Sequence, residues 1–213
     1  MAGHFGGNPY KWDFPAGPNN PHVARYLMAR GFVMPWETVL DAACAQGYGA
    51  KAVALAAKKV IGYEIDEGCI ENALEHKPDN CDFKVMDLNT CELPDVDVAI
   101  TIETIEHLTP EGMMHFAEQL RKHVKRCIIV TVPLGGTSYA YVNEPPGPAT
   151  EKNDFAQHGD IEKVIIGDSP DWHLFFEFTF GYSHFGVYFK DQIQVPKEWE
   201  KRTGAAEGQY ERA

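Results

Sequence analysis

The sequence predicts an α/β chain built on a doubly wound, mostly parallel seven-stranded sheet that ends in a C-terminal antiparallel hairpin. Three observations predict it. Five short, almost wholly apolar runs at 38–44, 60–65, 83–86, 96–102 and 127–132 alternate with segments of helical spacing at 50–59, 67–76 and 111–125; such runs suit strands covered by helices on both faces. Two aromatic-rich runs, 173–180 and 184–190, flank Gly181-Tyr182 and read as a hairpin at the far end of the sheet. The 213 residues are enough for one such domain with a sizeable core and too few for a second full one.

Taken in order, the first 21 residues are rich in Gly, Pro, Asn and aromatics and break every helix or strand period, which predicts an irregular arm. Over 22–31, Val23, Tyr26, Leu27 and the stem of Arg30 fall at helical spacing and Gly31 supplies a stop. The strand and helix runs above then fill the chain to 132. Residues 135–172 are Gly- and Pro-rich, aperiodic and too long for a plain connection, which predicts an insertion covering a site, with room for a short helix. After the hairpin, 194–213 reads as a polar, frayed tail. The domain is therefore expected over 22–193.

Composition excludes some functions. With 19 Lys+Arg against 31 Asp+Glu the formal charge is −12, a field that repels polyanions and disfavours nucleic-acid partners. The five cysteines are odd in number, widely spaced and without a C-x-x-C pair, as expected for reduced thiols in a cytoplasmic protein. No run approaches the ~18 apolar residues of a membrane span, and no basic segment followed by an apolar run opens the chain.

The chemistry-bearing residues cluster at strand ends. In an open parallel sheet ligands bind beyond the carboxyl ends of the strands, where the first loop and helix meet them. Here Asp41 leads into Ala43-Cys44-Ala45-Gln46-Gly47-Tyr48-Gly49. Small residues admit a ligand close to the backbone, and the following helix N-terminus favours a negative group such as a carboxylate. Glu64 ends the second strand 21 positions after Ala43, near the ~20-residue interval at which an acid grips ribose hydroxyls; Asp66 is its rival. Each acid alone could simply finish a turn or a strand, and a small-residue loop with a distant acid is a weak signal.

The four segments VLDAACAQGYGA, VIGYEID, FKVMDLN and DVAITIETIEHL together resemble, in order and spacing, the strand-end motifs of class I methyltransferases that use S-adenosylmethionine (SAM), over about 21–133. That resemblance implies a Rossmann-like fold and SAM as cofactor. It further implies that Asp41 and the loop Ala43, Ala45, Gln46, Gly47 hold the methionine part, Glu64 the ribose, Asp87 and Leu88 the adenine, and Glu103 the donor side of the fourth strand. The family's D-x-G-x-G-x-G is here D-A-A-C-A-Q-G, so Ala43 and Ala45 stand for two glycines. At the first, alanine should be mild; at the second it should cost about 1 kcal/mol or more if positive φ is needed, weakening the affinity for SAM. His22, Arg25 and Tyr26 share one helix face, and H-x-x-R-Y resembles a helix that faces the donor in relatives. Arg25 could then fork onto the SAM carboxylate, or be a surface Arg beside a core Tyr26.

Methyl transfer from a sulfonium needs alignment and, where the acceptor carries a proton, a base. The fourth strand ends in Glu103-Thr104-Ile105-Glu106-His107, and His107, supported by Glu106, is the expected catalytic base. The same E-x-x-E-H spelling is similar to ubiquinone O-methyltransferases and small-RNA 2′-O-methyltransferases, where these positions hold a metal; this makes Glu103, Glu106 and His107 candidate ligands for Mg²⁺. A plain helix-capping role for Glu106 and His107 is the alternative. Asn8-Pro9-Tyr10 and Asn143-Glu144-Pro145-Pro146 only mimic the N-P-P-Y box of amino-directed DNA methyltransferases, since neither follows the fourth strand. Trp12, Phe14, Tyr139, Tyr141, Trp172, Phe175 and Phe176 suit a flat, apolar small-molecule acceptor methylated at O or N, although aromatics at such spacing more often belong to the core. The competing readings are a non-catalytic SAM-binding or interaction module and a nicotinamide-dependent oxidoreductase, although the loop lacks G-x-G-x-x-G.

Overall fold

A computed structural model describes residues 21–75, 77–133, 158–180 and 183–190. In chain order the elements are α1 (Pro21–Arg30), β1 (Thr38–Ala42), α2 (Tyr48–Ala54), β2 (Lys59–Glu64), α3 (Glu67–Glu75), β3 (Cys81–Val85), β4 (Val96–Ile102), a 3₁₀ turn (Ile105–His107), α4 (Pro110–His123), β5 (Val124–Pro133), α5 (His158–Ile165), β6 (Trp172–Phe180) and β7 (Ser183–Lys190). The strands form one sheet in the order β3-β2-β1-β4-β5-β7-β6. The first five run parallel, and β7 is antiparallel to both β5 and β6. The order reverses between β1 and β4, so their carboxyl ends lie side by side, with Ala42 opposite Thr101.

Alternation along the strands builds a core on each face. On β5, Cys127 and Ile129 pack with Tyr26, Val53, Ile70 and Phe83 beneath α1 to α3, whereas Ile128 and Val130 pack with Phe116, Leu120, Ile161 and Trp172 beneath α4 and α5. This is the doubly wound arrangement expected from near-continuous apolar strands. At the amino-terminal side of β1, Arg126 Nε and Nη2 clasp both oxygens of the buried Glu37, Nη2 also donates to Phe32 O at 2.6 Å, and Met34 N–H donates to Glu37 Oε2 at 2.8 Å. That brace ties the entry of β1 to β5.

Several expected boundaries move for local reasons. β1 stops at Ala42 rather than 44 because Ala43 adopts φ 60°. α2 starts at Tyr48, after Gly47 at φ 74°, and ends by Leu55 instead of running to 59; the amides of Lys58 and Lys59 donate to Glu37 O. α4 passes straight into β5 at Val124. The largest correction concerns 135–172. Its short helix is α5, and Ile161 and Ile165 are fully buried in the second core. Helix α5 is thus packed into the body of the fold. The rest of that stretch, the arm up to 20 and the tail from 191 lie outside the described residues. Among the described residues no helix is long and apolar enough to cross a membrane.

Candidate active site

The loop from β1 to α2 repeats one unusual backbone choice. Ala43, Ala45 and Gly47 have φ of 60°, 46° and 74°, the left-handed region that glycine enters freely and an L-residue enters at a cost of about 1–2 kcal/mol. Both alanines therefore hold glycine-like conformations, and the expectation that the first substitution would be mild needs correcting on backbone grounds. Gly47 has no alternative: a β-carbon there would also lie 2.7 Å from the Phe83 ring.

Glu64, at the end of β2, fastens this loop. Its Oε2 accepts from Ala45 N–H at 3.0 Å, and Oε1 accepts from Ile65 and Asp66 N–H at 2.8 and 3.1 Å. The carboxylate is held in one orientation beside the loop; Oε1 already accepts two bonds, and Oε2, which accepts one, keeps lone-pair capacity for a hydroxyl. Asp66 does different work, accepting from Cys69 N–H at 2.9 Å as the cap of α3. The two rivals are separated by geometry.

Asp41 is fully buried on the α1 face of β1. Its Oδ1 accepts from Tyr26 O–H at 2.9 Å. Burial pushes its carboxyl up to about 7, with Glu64 adding to the rise, while the Tyr26 hydroxyl and the Ala50 amide counter it. Asp41 thus presents its own carboxylate to the first turn of α2, the place where a ligand carboxylate was expected. Tyr26 packs flush on that turn; a β-carbon at Gly49 would lie 2.2 Å from its ring.

Arg25, far from being a surface residue, is 7% exposed. Its Nη2 donates to Ser183 Oγ at 2.6 Å, and its Nε lies 3.7 Å from Glu103 Oε1. His22, one turn earlier on the same face, is pushed down to about 4 by burial and by Arg25. Glu103 follows β4 with φ 51°, and its N–H donates to Thr131 O and Oγ1 at 2.9 and 3.1 Å. Thr104 Oγ1 lies 3.1 Å from Ile102 O and 3.3 Å from Ala42 O, its one hydroxyl proton within reach of either carbonyl. Arg25 Nε, Asp41 Oδ2 and Glu103 Oε1 are buried polar atoms with no hydrogen bond from the protein. Such atoms call for a partner, and these three fit the charged amino-acid end of a SAM-like ligand.

After β3, Asp87 Oδ1 accepts from Asn89 N–H and Nδ2 at 2.9 and 2.8 Å. Asn89 Oδ1 in turn accepts from Thr109 N–H and Oγ1 at 2.9 and 3.2 Å. The Leu88 side chain is buried in the second core, so only its backbone can face a ligand. Sequence reasoning missed Asn89, Thr104 and Ser183. The D-L-N spelling before a Thr-Pro helix start could have flagged Asn89; nothing local could have paired Ser183 with Arg25, 158 positions away.

The E-x-x-E-H group is not brought together as a ligand set. Arg25 engages Glu103, while Glu106 and His107 sit on the 3₁₀ turn, whose Ile105 and Leu108 pack into the opposite core. Among the described residues no three His, Cys, Asp or Glu side chains are placed to hold a metal ion. The arrangement does not fit Mg²⁺ there. The capping alternative also fails: the cap of α4 is Thr109, whose Oγ1 accepts from Gly112 N–H at 3.0 Å. Glu106 is buried, His107 is 58% exposed, and His107 Nε2 lies 3.7 Å from Glu106 Oε1.

The aromatic acceptor platform is likewise revised. Trp172 is buried in the second core. Phe175 and Phe176 are exposed, but Phe175 stacks edge-on to Phe189, opposite Cys127 near the start of β5. That is the end of the sheet away from Glu64 and Glu103. Trp12, Phe14, Tyr139 and Tyr141 lie outside the described residues.

Comparison with known proteins bears on the fold and the domain. Residues 39–126 match the methyltransferase domain family. A probable S-adenosylmethionine-dependent methyltransferase of Mycobacterium tuberculosis is 32% identical over 127 residues, 55% of this chain and 41% of that protein; the chain thus spans about two fifths of that relative's length. Among solved structures, magnesium protoporphyrin IX methyltransferase from Synechocystis PCC 6803 with bound SAH aligns with a TM-score of 0.60 at 21% identity over 79% of each chain. An S-adenosylmethionine dependent methyltransferase from Mesorhizobium loti aligns with a TM-score of 0.64 at 12% identity, covering 82% of this chain and 100% of that one. The nicotinamide reading is set aside by the family match. Over residues 39–126 the chain is similar to the methyltransferase domain family, and it shares its fold with solved SAM-dependent methyltransferases.

Proposed function

We propose that the chain transfers a methyl group from SAM to a small-molecule acceptor at oxygen or nitrogen, in the cytoplasm. The observation that carries this reading is the left-handed loop 43–47 fastened by Glu64 beside three buried polar atoms that lack hydrogen bonds. When bound, SAM supplies a methyl carbon already activated by a sulfonium. The residues bind and align. Glu64 accepts from a ribose hydroxyl through Oε2, the loop lies against the methionine part, Arg25 and Glu103 take its carboxylate and ammonium, and the Asp87–Leu88 turn borders the adenine. The acceptor approaches from the 3₁₀ turn after β4. With SAM bound, the acceptor's lone pair would displace the sulfur at the methyl carbon, S-adenosylhomocysteine would be released, and the acceptor's proton would pass to His107. Glu106, buried 3.7 Å from the imidazole, stabilises the imidazolium so formed. No metal enters this scheme.

A net charge of −12 supports a small acceptor over a polyanion, and the five cysteines are free thiols, in keeping with a reducing compartment. The test is incubation of the protein with methyl-labelled SAM and a fractionated metabolite pool. Label in a small-molecule fraction together with S-adenosylhomocysteine is expected. SAM binding with no turnover on any fraction would favour a non-catalytic SAM-binding module.

A further inference from the structure

We propose that Ser183, the first residue of β7, is a positioning residue for the donor: its hydroxyl sets the Arg25 guanidinium to receive the amino-acid end of SAM. The inference rests on the reading that Arg25 faces that end. The hydrogen bond from Arg25 Nη2 to Ser183 Oγ is short, 2.6 Å, and both residues are buried, at 7% and 3% exposure. Shortness and burial are what a charge-assisted bond in a low-dielectric setting shows.

The bond fixes one corner of a planar fork. Another edge, Nε, lies 3.7 Å from Glu103 Oε1, and neither of those atoms has a hydrogen bond of its own. Ser183 cannot drift, because its backbone pairs with Pro133 at the end of β5 and with Phe180 at the end of β6. Glu103 cannot drift either, since its N–H is bound to Thr131 on β5. Arg25 therefore bridges the carboxyl end of β4 and the amino end of the antiparallel β7, across β5, with its plane set before any ligand arrives. A free arginine would surrender rotamer entropy on binding; an anchored one has already done so.

The chemistry of the anchor matters as much as its place. A hydroxyl accepts from the guanidinium without neutralising it, so Arg25 and Glu103 together offer one positive and one negative charge, the complement of a zwitterion. A carboxylate at 183 would pair with Arg25 and compete with the ligand's own. The C-terminal hairpin, which lies beyond the matched segment 39–126, thereby completes the donor site.

Calorimetry with SAM and with 5′-methylthioadenosine, which has the adenosine and lacks the amino-acid end, tests this on the full chain. Ser183→Ala should weaken SAM roughly tenfold, the size expected for a hydrogen bond to a charged group, and leave 5′-methylthioadenosine unchanged. Ser183→Thr, which keeps the hydroxyl, should restore SAM affinity, and Ser183→Asp should lose more than Ser183→Ala. In an Arg25→Ala background Ser183→Ala should add nothing, because the effect runs through Arg25. Equal losses for both ligands, an additive loss in the Arg25→Ala background, or a lowered melting temperature with unchanged SAM affinity would each overturn the proposal. A wild-type protein that binds neither ligand would overturn the donor site itself, a result distinguishable from all of these.

Discussion

Replacing Ala45 by glycine should stabilise this protein, although glycine ordinarily costs stability. Ala45 holds φ 46°, where the β-carbon of an L-residue costs about 1–2 kcal/mol. The greater freedom of glycine in the unfolded chain takes back about 0.4–1 kcal/mol, leaving a net gain of roughly 0.5–1 kcal/mol and a rise in melting temperature of about 1–4 °C for a domain of this size. Ala43 behaves differently. It too is left-handed, at φ 60°, but its methyl packs against the second core; losing up to ~0.8 kcal/mol of burial brings Ala43→Gly close to neutral. Urea unfolding at constant m-value and scanning calorimetry measure both. SAM affinity should change little in either variant, because the loop already has its glycine-like shape. A loss of roughly 0.5–1 kcal/mol in Ala45→Gly, as at an ordinary position, would refute the loop geometry.

Three further outcomes follow from the same structure. Burial raises the Asp41 carboxyl to about 7; between about pH 4 and 7 the folded state keeps a proton that the unfolded chain releases, so this group makes stability fall as pH rises through that window and level off above it. Asp41→Asn should abolish that slope in urea unfolding followed across the window, and an unchanged slope would sink the assignment. Arg126→Met strands the buried Glu37 carboxylate and should cost about 3–5 kcal/mol in chemical unfolding while SAM affinity stays as in the parent, since the pair lies at the opposite end of β1. His107→Asn and Glu106→Gln should slow turnover by about 10²–10⁴-fold with SAM affinity and melting temperature near those of the parent, because Thr109 caps α4, and chelator should have no effect on the parent; full turnover in both variants would remove them from the mechanism.

The parallel half of the fold was legible because burial on both faces writes itself as unbroken apolar runs: β4 falls at 96–102 as read, and β2 and β3 shift by only one or two residues. What was not legible depended on contacts between distant segments. α5 carries Ile161 and Ile165 into the second core, yet about two helical turns inside a Gly- and Pro-rich stretch give little periodicity to detect. The strand-end acids could be read from the sequence, but their partners could not: Glu64 accepts from the Ala45 amide, and Arg25 donates to Ser183, 158 positions away. The E-x-x-E-H spelling misled as to a metal because the left-handed turn at Glu103 sends that side chain toward Arg25, and a residue spacing carries no φ angle. Trp172, Phe175 and Phe176 misled because aromatic content does not say which end or face of a strand a ring occupies.

The central claim, that SAM lies across the carboxyl ends of β1 and β2 with its ribose on Glu64, is tested most directly by calorimetric SAM binding to the parent, Glu64→Ala and Asp66→Ala. The account predicts binding to the parent and a loss of about 1–3 kcal/mol in Glu64→Ala. It predicts parental affinity in Asp66→Ala, where only the cap of α3 is removed. Equal affinity in the parent and Glu64→Ala, or equal losses in the two variants, would contradict it.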